Sequence, residues 1–316
     1  MSETLAQVGE FPLVERVLRD LPQGSAVSVG PGDDGAVFWV DGQAVTSVDV
    51  YVEGVHFRRD WSSAQDIGRK AVAASVADLE AMGAYPVALL VGFAAPADLP
   101  AEWAEDCVRG LREECAKAGL TLVGGDLSAG RDVTLAMTVV GELRGMQPVL
   151  RSGARPGDLV ALRGRLGWAA AGLTALSRGF RSPRAAVQAF QCPTPPYGAG
   201  AEAAAFGASA LVDVSDGLLA DLGHVARASD VVIDLESASL EIGDPIRDIA
   251  RATGREPLEF VLTGGEDHAL AGVFPFGQVP REWTVIGRVL DTEGAQAMVT
   301  VDGQPWAGPA GWTHFG

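Results

Sequence analysis

The stretch Ala64-Gln-Asp-Ile-Gly-Arg-Lys-Ala-Val-Ala-Ala-Ser-Val-Ala-Asp-Leu-Glu-Ala-Met82, closed by Gly83, decides how the first half of this chain is built. It contains no proline, and its spacing predicts one helix stopped by the glycine. At 3.6 residues per turn, Ile67, Ala71, Ala74, Asp78 and Met82 fall on one stripe. Asp66, Arg69, Lys70 and Glu80 fall on the opposite side. Asp78 thus sits on the inward stripe, where a carboxylate must be paired because unpaired burial is too costly. Taken alone, a buried arginine partner and a metal ion explain it equally well.

Working outward, residues 11–21 read as a helix stopped by Pro22, and residues 35–40 and 44–51 as strands joined by a short Asp41-Gly42 turn. Beyond the helix, residues 86–94, 120–124 and 133–143 read as strands, and residues 100–118 as a helix ended by Gly119. A Gly-, Pro- and Arg-rich break covers residues 145–156. Past it come strands at 158–163, 210–214, 231–235, 269–274 and 284–289, with helices at 167–177, after the Pro-rich loop 192–197, and at 217–228. Two α/β domains with mixed sheets are expected, residues 1–145 and 146–316.

Against that scaffold, aspartates recur at element ends. Asp33 and Asp34 lie in Gly-Pro-Gly-Asp-Asp-Gly, Asp49 in Val-Thr-Ser-Val-Asp-Val, and Asp126 in Gly-Gly-Asp. Asp213 and Asp216 lie in Asp-Val-Ser-Asp-Gly. One such residue is an ordinary turn former or cap. So many suggest a pocket where hard cations meet oxygen ligands. Gly124 and Gly125 would let backbone approach a phosphate, although a lone Gly-Gly-Asp is usually a turn. Ser215 reads equally as the N-cap of the following helix, and Asp216 as a partner of its dipole. Thr263-Gly-Gly-Glu-Asp267 repeats the pattern of glycines followed by carboxylates. His56 and Trp312 have plain structural readings beside functional ones, the tryptophan by stacking on a cationic ligand.

Composition narrows the field. A formal charge of −17 argues against a nucleic-acid partner. The only lysines are Lys70 and Lys117, and neither stands in a P-loop motif, so phosphates must be held in another way. No apolar run has the roughly 18 residues a membrane span needs. The opening residues lack the basic and apolar regions of a signal peptide, and Cys107, Cys115 and Cys192 show no CxxC spacing. A reduced, cytoplasmic protein is expected.

Taken together, the ordered set Gly-Asp-Asp-Gly-Ala, Ser-Val-Asp-Val-Tyr-Val-Glu-Gly-Val-His-Phe, Val-Ala-Asp-Leu-Glu-Ala-Met-Gly-Ala, Gly-Gly-Asp, Arg-Ser-Gly-Ala-Arg-Pro-Gly-Asp, Asp-Val-Ser-Asp-Gly-Leu and Thr-Gly-Gly-Glu-Asp resembles the thiamine-monophosphate kinase family. That family belongs to a superfamily with aminoimidazole ribonucleotide synthetase and selenophosphate synthetase. The resemblance implies a two-domain fold of that type. The N-terminal mixed sheet would form a homodimer interface, and the C-terminal α/β domain would complete the active-site cleft. It implies magnesium-dependent transfer of the ATP γ-phosphoryl group to thiamine monophosphate, without a protein general base. Asp34, Ser47, Val48 (through its carbonyl), Asp49, Asp78, Asp126, Asp213 and Asp216 would hold magnesium. Gly124, Gly125, Arg151 and Ser215 would contact ATP, and His56, Glu266 and Trp312 would line the substrate site. Two departures stand out: Val48 replaces the family's usual threonine, and His268-Ala269 replace its usual tyrosine and glutamate. Competing readings are another ATP-using enzyme of the superfamily, or a non-catalytic nucleotide- or metal-binding homologue.

Overall fold

The computed structural model describes residues 3–313. The chain divides into two compact units, one made of residues up to Leu79 together with Tyr85–Gly145, the other of Glu80–Ala84 and the residues from Met146 onward.

The first unit opens with helices α1 (Leu5–Val8) and α2 (Glu10–Leu18) and the short strands β1 (Val27–Val29) and β2 (Val37–Phe38). It continues through β3 (Ala44–Val52), α3 (Ala64–Ala81), β4 (Tyr85–Ala95), α4 (Ala101–Ala118), β5 (Thr121–Ala129) and β6 (Thr134–Glu142). Four strands form a sheet in the order β3-β6-β4-β5, in which β4 and β5 run parallel and the other pairs antiparallel. The parallel pair follows from its connection, since α4 carries the chain back across the sheet. Gly119 ends α4 in the left-handed conformation expected of a terminal glycine.

Three expectations change here. Asp41-Gly42 does not close a hairpin: β2 pairs with β1, and β3 pairs with β6 along its whole length. The turn is tied to the end of β6 instead, with the Asp41 N–H donating to the Glu142 carboxylate at 2.7 Å and the Arg144 N–H to the Asp41 carbonyl at 2.9 Å. Gly124, Gly125 and Asp126 are not a turn after a strand but lie inside β5, just past a register shift opposite Leu89 and Leu90. Finally, α3 has no solvent face of the expected kind. Lys70 and Glu80 are only 3% and 1% exposed.

Helix α4 approaches α3 closely near Gly68. A Cβ on Gly68 would collide with the Cys107 carbonyl, and one on Gly110 with the Gln65 carbonyl, so each helix offers a glycine to the other's backbone. At the far end, the Glu80 carboxylate accepts N–H bonds from Gly198 and Gly200, both at 2.7 Å. These bonds offset the burial that pushes its pKa upward.

The second unit contains β7 (Leu159–Arg163), α5 (Trp168–Ser177), α6 (Arg184–Gln191), α7 (Ala199–Ala205), β8 (Ala210–Val214), α8 (Leu218–Ser229) and β9 (Val232–Leu235). Then follow α9 (Asp244–Thr253), α10 (Pro257–Thr263), β10 (Ala269–Phe274), β11 (Thr284–Leu290), β12 (Met298–Val301) and β13 (Gln304–Pro305). The sheet order is β13-β12-β9-β11-β7-β10-β8, antiparallel except for the β12–β9 pair. Every residue of β8 and β10 is buried, as in strands covered on both faces. Leu211, Leu270 and Ala161 pack with Ala199 and Ala203 of α7, and Phe274 meets Trp283 edge to face at 5.2 Å. Helices α6, α9 and α10 and strands β12 and β13 are additions to the sequence-based outline.

Candidate active site

In the first unit, the alternation of β3 sets the geometry. Ser47 and Asp49 share the half-buried face, while Val48 and Val50 point to the other face, 62% and 49% exposed. Ser47 donates its hydroxyl to the Asp78 carboxylate at 2.5 Å. A hydroxyl bonded to a charged group contributes about 1.5–3 kcal/mol, and it holds Asp78 against β3. The inward phasing of Asp78 therefore brings it to Ser47, with Asp49 one pleat away. Asp126 is not part of this group. It lies on the opposite edge strand, three strand spacings or roughly 14 Å across the sheet. Its exposed carboxylate accepts a bond from the Ser128 hydroxyl at 2.5 Å.

The two glycines before Asp126 differ. A Cβ on Gly125 would collide with the Val91 carbonyl, so the protein's own packing demands that glycine. A Cβ on Gly124 would meet nothing within 4 Å, so its missing side chain leaves open space. Asp34 is exposed in its loop, and its N–H donates to the Asp33 carboxylate at 2.9 Å, which makes Asp33 the local turn former. His56 is oriented firmly. Its Nδ1 accepts the Val52 N–H at 3.1 Å, which puts the ring proton on Nε2, and the ring stands edge-on to Tyr51 at 5.7 Å.

In the second unit, β8 ends at a junction of backbone bonds. Asp213 is buried near the strand's end, with His268 Nδ1 3.6 Å from its carboxylate. Ser215 does not cap α8: the N-cap is Gly217, without a side-chain bond. The cap comes from within the helix, because one oxygen of Asp221 accepts the N–H groups of Ser215, Asp216 and Gly217, each at 3.0 Å. Burial, then the charge of Asp213, pushes the Asp221 pKa up to about 7 against the pull of those N–H groups.

Glu266 and His268 both adopt positive φ, 71° and 52°, a conformation uncommon for side-chain-bearing residues. It lets their N–H groups reach back to the carbonyls of Ser215 and Val214 at 2.8 and 3.1 Å. The N–H of Trp312, whose residue is half exposed, donates to the Asp216 carbonyl at 3.1 Å. Arg151 is exposed, and it acts with Arg227 on His224, whose pKa is lowered first by burial and then by these cations, while Asp216 opposes them. Arg151 and Asp216 are thus within electrostatic reach of the same stretch of α8.

Among the described residues, no group of three or more His, Cys, Asp or Glu side chains is gathered into a metal-holding cluster. The donors present are nonetheless hard oxygens. They suit a cation that keeps several waters and takes one or two carboxylates together with substrate phosphates.

The chain matches the family profile of the AIR synthase related protein N-terminal domain over residues 32–143 and that of the C-terminal domain over residues 155–300. It is 49% identical over 317 aligned positions to a thiamine-monophosphate kinase of Mycobacterium tuberculosis, covering all of this chain and 94% of that protein. A thiamine-monophosphate kinase of Corynebacterium glutamicum is 37% identical, with coverage of 99% and 95%. Among solved structures, AaThiL complexed with AMPPCP and TMP superposes with a TM-score of 0.81 at 31% identity, both chains being covered in full. The chain belongs to the thiamine-monophosphate kinase family.

The two positions expected to depart from the family pattern can now be placed. Because Val48 faces away from Ser47 and Asp49, a threonine hydroxyl there would lie on the opposite face of β3, and only the backbone carbonyl is in common. His268 is turned inward onto Asp213, and Ala269 is buried as the first residue of β10. Two carboxylates have partners that sequence reading misses, Asp221 and the Asp267 of the Thr263–Asp267 motif. Asp221 was signalled only by an acidic residue in the first turn after Ser-Asp-Gly. Asp267 accepts the Ala169 N–H at 2.9 Å at the start of α5, from a segment far away in sequence. Its full burial pushes its pKa up to about 7, against that bond and the nearby Arg165.

Proposed function

We propose that this chain transfers the γ-phosphoryl group of ATP to thiamine monophosphate, giving thiamine diphosphate and ADP. The observation that carries this is the 49% identity to a named thiamine-monophosphate kinase over the entire chain. A relative in complex with AMPPCP, an ATP analogue, and TMP adds support for the substrate pair. In the reaction a phosphate oxygen of the acceptor attacks the γ-phosphorus, the bond to the β-phosphate oxygen breaks, and ADP leaves. A phosphate monoester with a second pKa of about 6 is mostly dianionic at neutral pH, so no protein base is needed.

The difficulty is repulsion between two polyanions. Asp34, Asp49, Asp78 and Asp126 of the first unit, with Ser47 and the Val48 carbonyl, would hold magnesium, as would Asp213 and Asp216 of the second. Bound there, magnesium supplies the positive charge that offsets both phosphates. Gly124 leaves room for the nucleotide and Gly125 shapes the strand beside it. Arg151 adds a cation, and Ser215, whose N–H is held by Asp221, would contact ATP through its hydroxyl. On the acceptor side, His56 offers an Nε2–H, Glu266 a carboxylate, and Trp312 an indole face suited to the thiazolium cation.

The exposed valines on the outer face of the edge strand β3 favour pairing of two copies through the first unit. Three buried free thiols suit the reducing cytoplasm. No described helix is long and apolar enough to cross a membrane. Incubation with ATP, magnesium and thiamine monophosphate tests the proposal. Thiamine diphosphate is the expected product, and ATP binding without it would favour the non-catalytic reading.

A further inference from the structure

Among the described carboxylates of the second unit that the proposed chemistry does not use, Asp221 gathers three N–H groups of the protein's own backbone. Asp221 is buried, and a single oxygen of its side chain accepts three successive N–H groups, those of Ser215, Asp216 and Gly217. The carbonyls of the same short loop point the other way and are also taken. Ser215 O accepts the Glu266 N–H, and Asp216 O accepts the Trp312 N–H.

Three glycines close the junction. A Cβ on Gly217 would lie 2.8 Å from the Thr263 carbonyl, and one on Gly311 would lie 2.6 Å from that of Asp216. One on Gly265 would collide with the Ser215 carbonyl. Three separate segments thus meet backbone to backbone, with only the rigid methyl group of Ala220 beside Gly311.

We infer that Asp221 is a positioning residue that fixes this junction, and through it sets Ser215 and Asp216 and also Glu266 and Trp312. Three converging N–H groups form a nest that attracts an anion. Asp221 fills it from within, so the nest is closed to a phosphate and its geometry is set before any ligand arrives. The inference rests on the kinase reading for the roles of the four residues, but not for the junction itself.

The test compares Asp221→Ala and Asp221→Asn with the wild-type protein by hydrogen exchange at the Glu266 and Trp312 amides and by steady-state kinetics. In Asp221→Ala both amides should exchange at least several-fold faster. The KM values for ATP and thiamine monophosphate should both rise, and kcat/KM should fall roughly 100-fold, the scale of a small misplacement of reacting groups. Asp221→Asn, which still offers one carbonyl oxygen to the N–H groups, should show both effects at a lesser size. A core control, Ile246→Val, should lower Tm without moving either KM.

If Asp221→Ala does not fold, the Asn variant carries the test. Wild-type exchange at both amides together with wild-type KM values, in whichever variant folds, overturns the proposal. The exchange measurement needs no turnover, so a failure of the junction and a failure of the kinase assignment read differently.

Discussion

Two stretches of this chain read alike and are built differently: Gly124-Gly125-Asp126 and Gly264-Gly265-Glu266-Asp267. The first lies inside β5, with its carboxylate in solvent and Gly124 facing open space. In the second, Cβ atoms on Gly264 and Gly265 would strike the carbonyls of Phe260 and Ser215. Glu266 is left-handed there, and Asp267 is sealed inside at the start of α5. The first glycine of the pattern leaves room for a ligand in one place and is packed against backbone in the other, while the second meets a carbonyl in both, that of Val91 for Gly125 and that of Ser215 for Gly265. What separates the two stretches is the space beside the first glycine and the exposure of the carboxylates, which sequence does not record.

The largest break in this comparison should come from Asp126→Asn. An exposed carboxylate can be neutralised without disturbing the fold, so Tm should hold while kcat falls by roughly 100-fold or more, as when a charge-stabilising group is lost. Near-normal turnover would remove Asp126 from the site. Gly265→Ala should behave in the opposite way, losing about 1–3 kcal/mol of stability from overpacking as measured in urea. Gly124→Ala is its counterpart: stability should change by less than about 1 kcal/mol, with the effect falling on KM for ATP.

Asp267 adds a pH signature. Its folded-state pKa, about 7, lies above the ordinary carboxylate value of 3.8. The folded state therefore holds the proton more tightly, and the stability this group contributes is complete below about pH 4 and lost as pH rises toward 7. Asp267→Asn should flatten that part of the Tm-against-pH curve, and an unchanged slope would show that the buried carboxyl does not titrate there. Smallest of all, Val48→Thr should alter stability by under about 0.5 kcal/mol and leave turnover near wild type. A marked gain in magnesium affinity would mean that its side chain does reach the site.

Much of the framework was legible because apolar runs between punctuating residues leave little choice. Strands β8 and β10 were read residue for residue, and α4 to within one residue. Asp78 was placed by phasing alone, and the bond from Ser47 bears that orientation out. Phasing failed for Lys70 and Glu80 on the same helix because it assumes one wet face. The partners of Glu80, the N–H groups of Gly198 and Gly200, lie more than a hundred residues along the chain.

Helix α9 carries Pro245 just after its first residue, Asp244, and α10 begins at Pro257, a start signal that passed unread although Ile246, Ile249 and Ala250 repeat at helical spacing on one buried face. The cap supplied by Asp221 was missed for a different reason. A nearby serine offered the more familiar explanation.

The glycine clasp between α3 and α4 carries a mechanical consequence. Gly68 and Gly110 bring the two helices into direct main-chain contact, without a compressible layer of side chains between them. Side chains can change rotamer under load, but backbone in contact with backbone has nowhere to yield. The clasp anchors the first turns of α3, so the helix that carries Asp78 extends from a root that cannot slide along its neighbour.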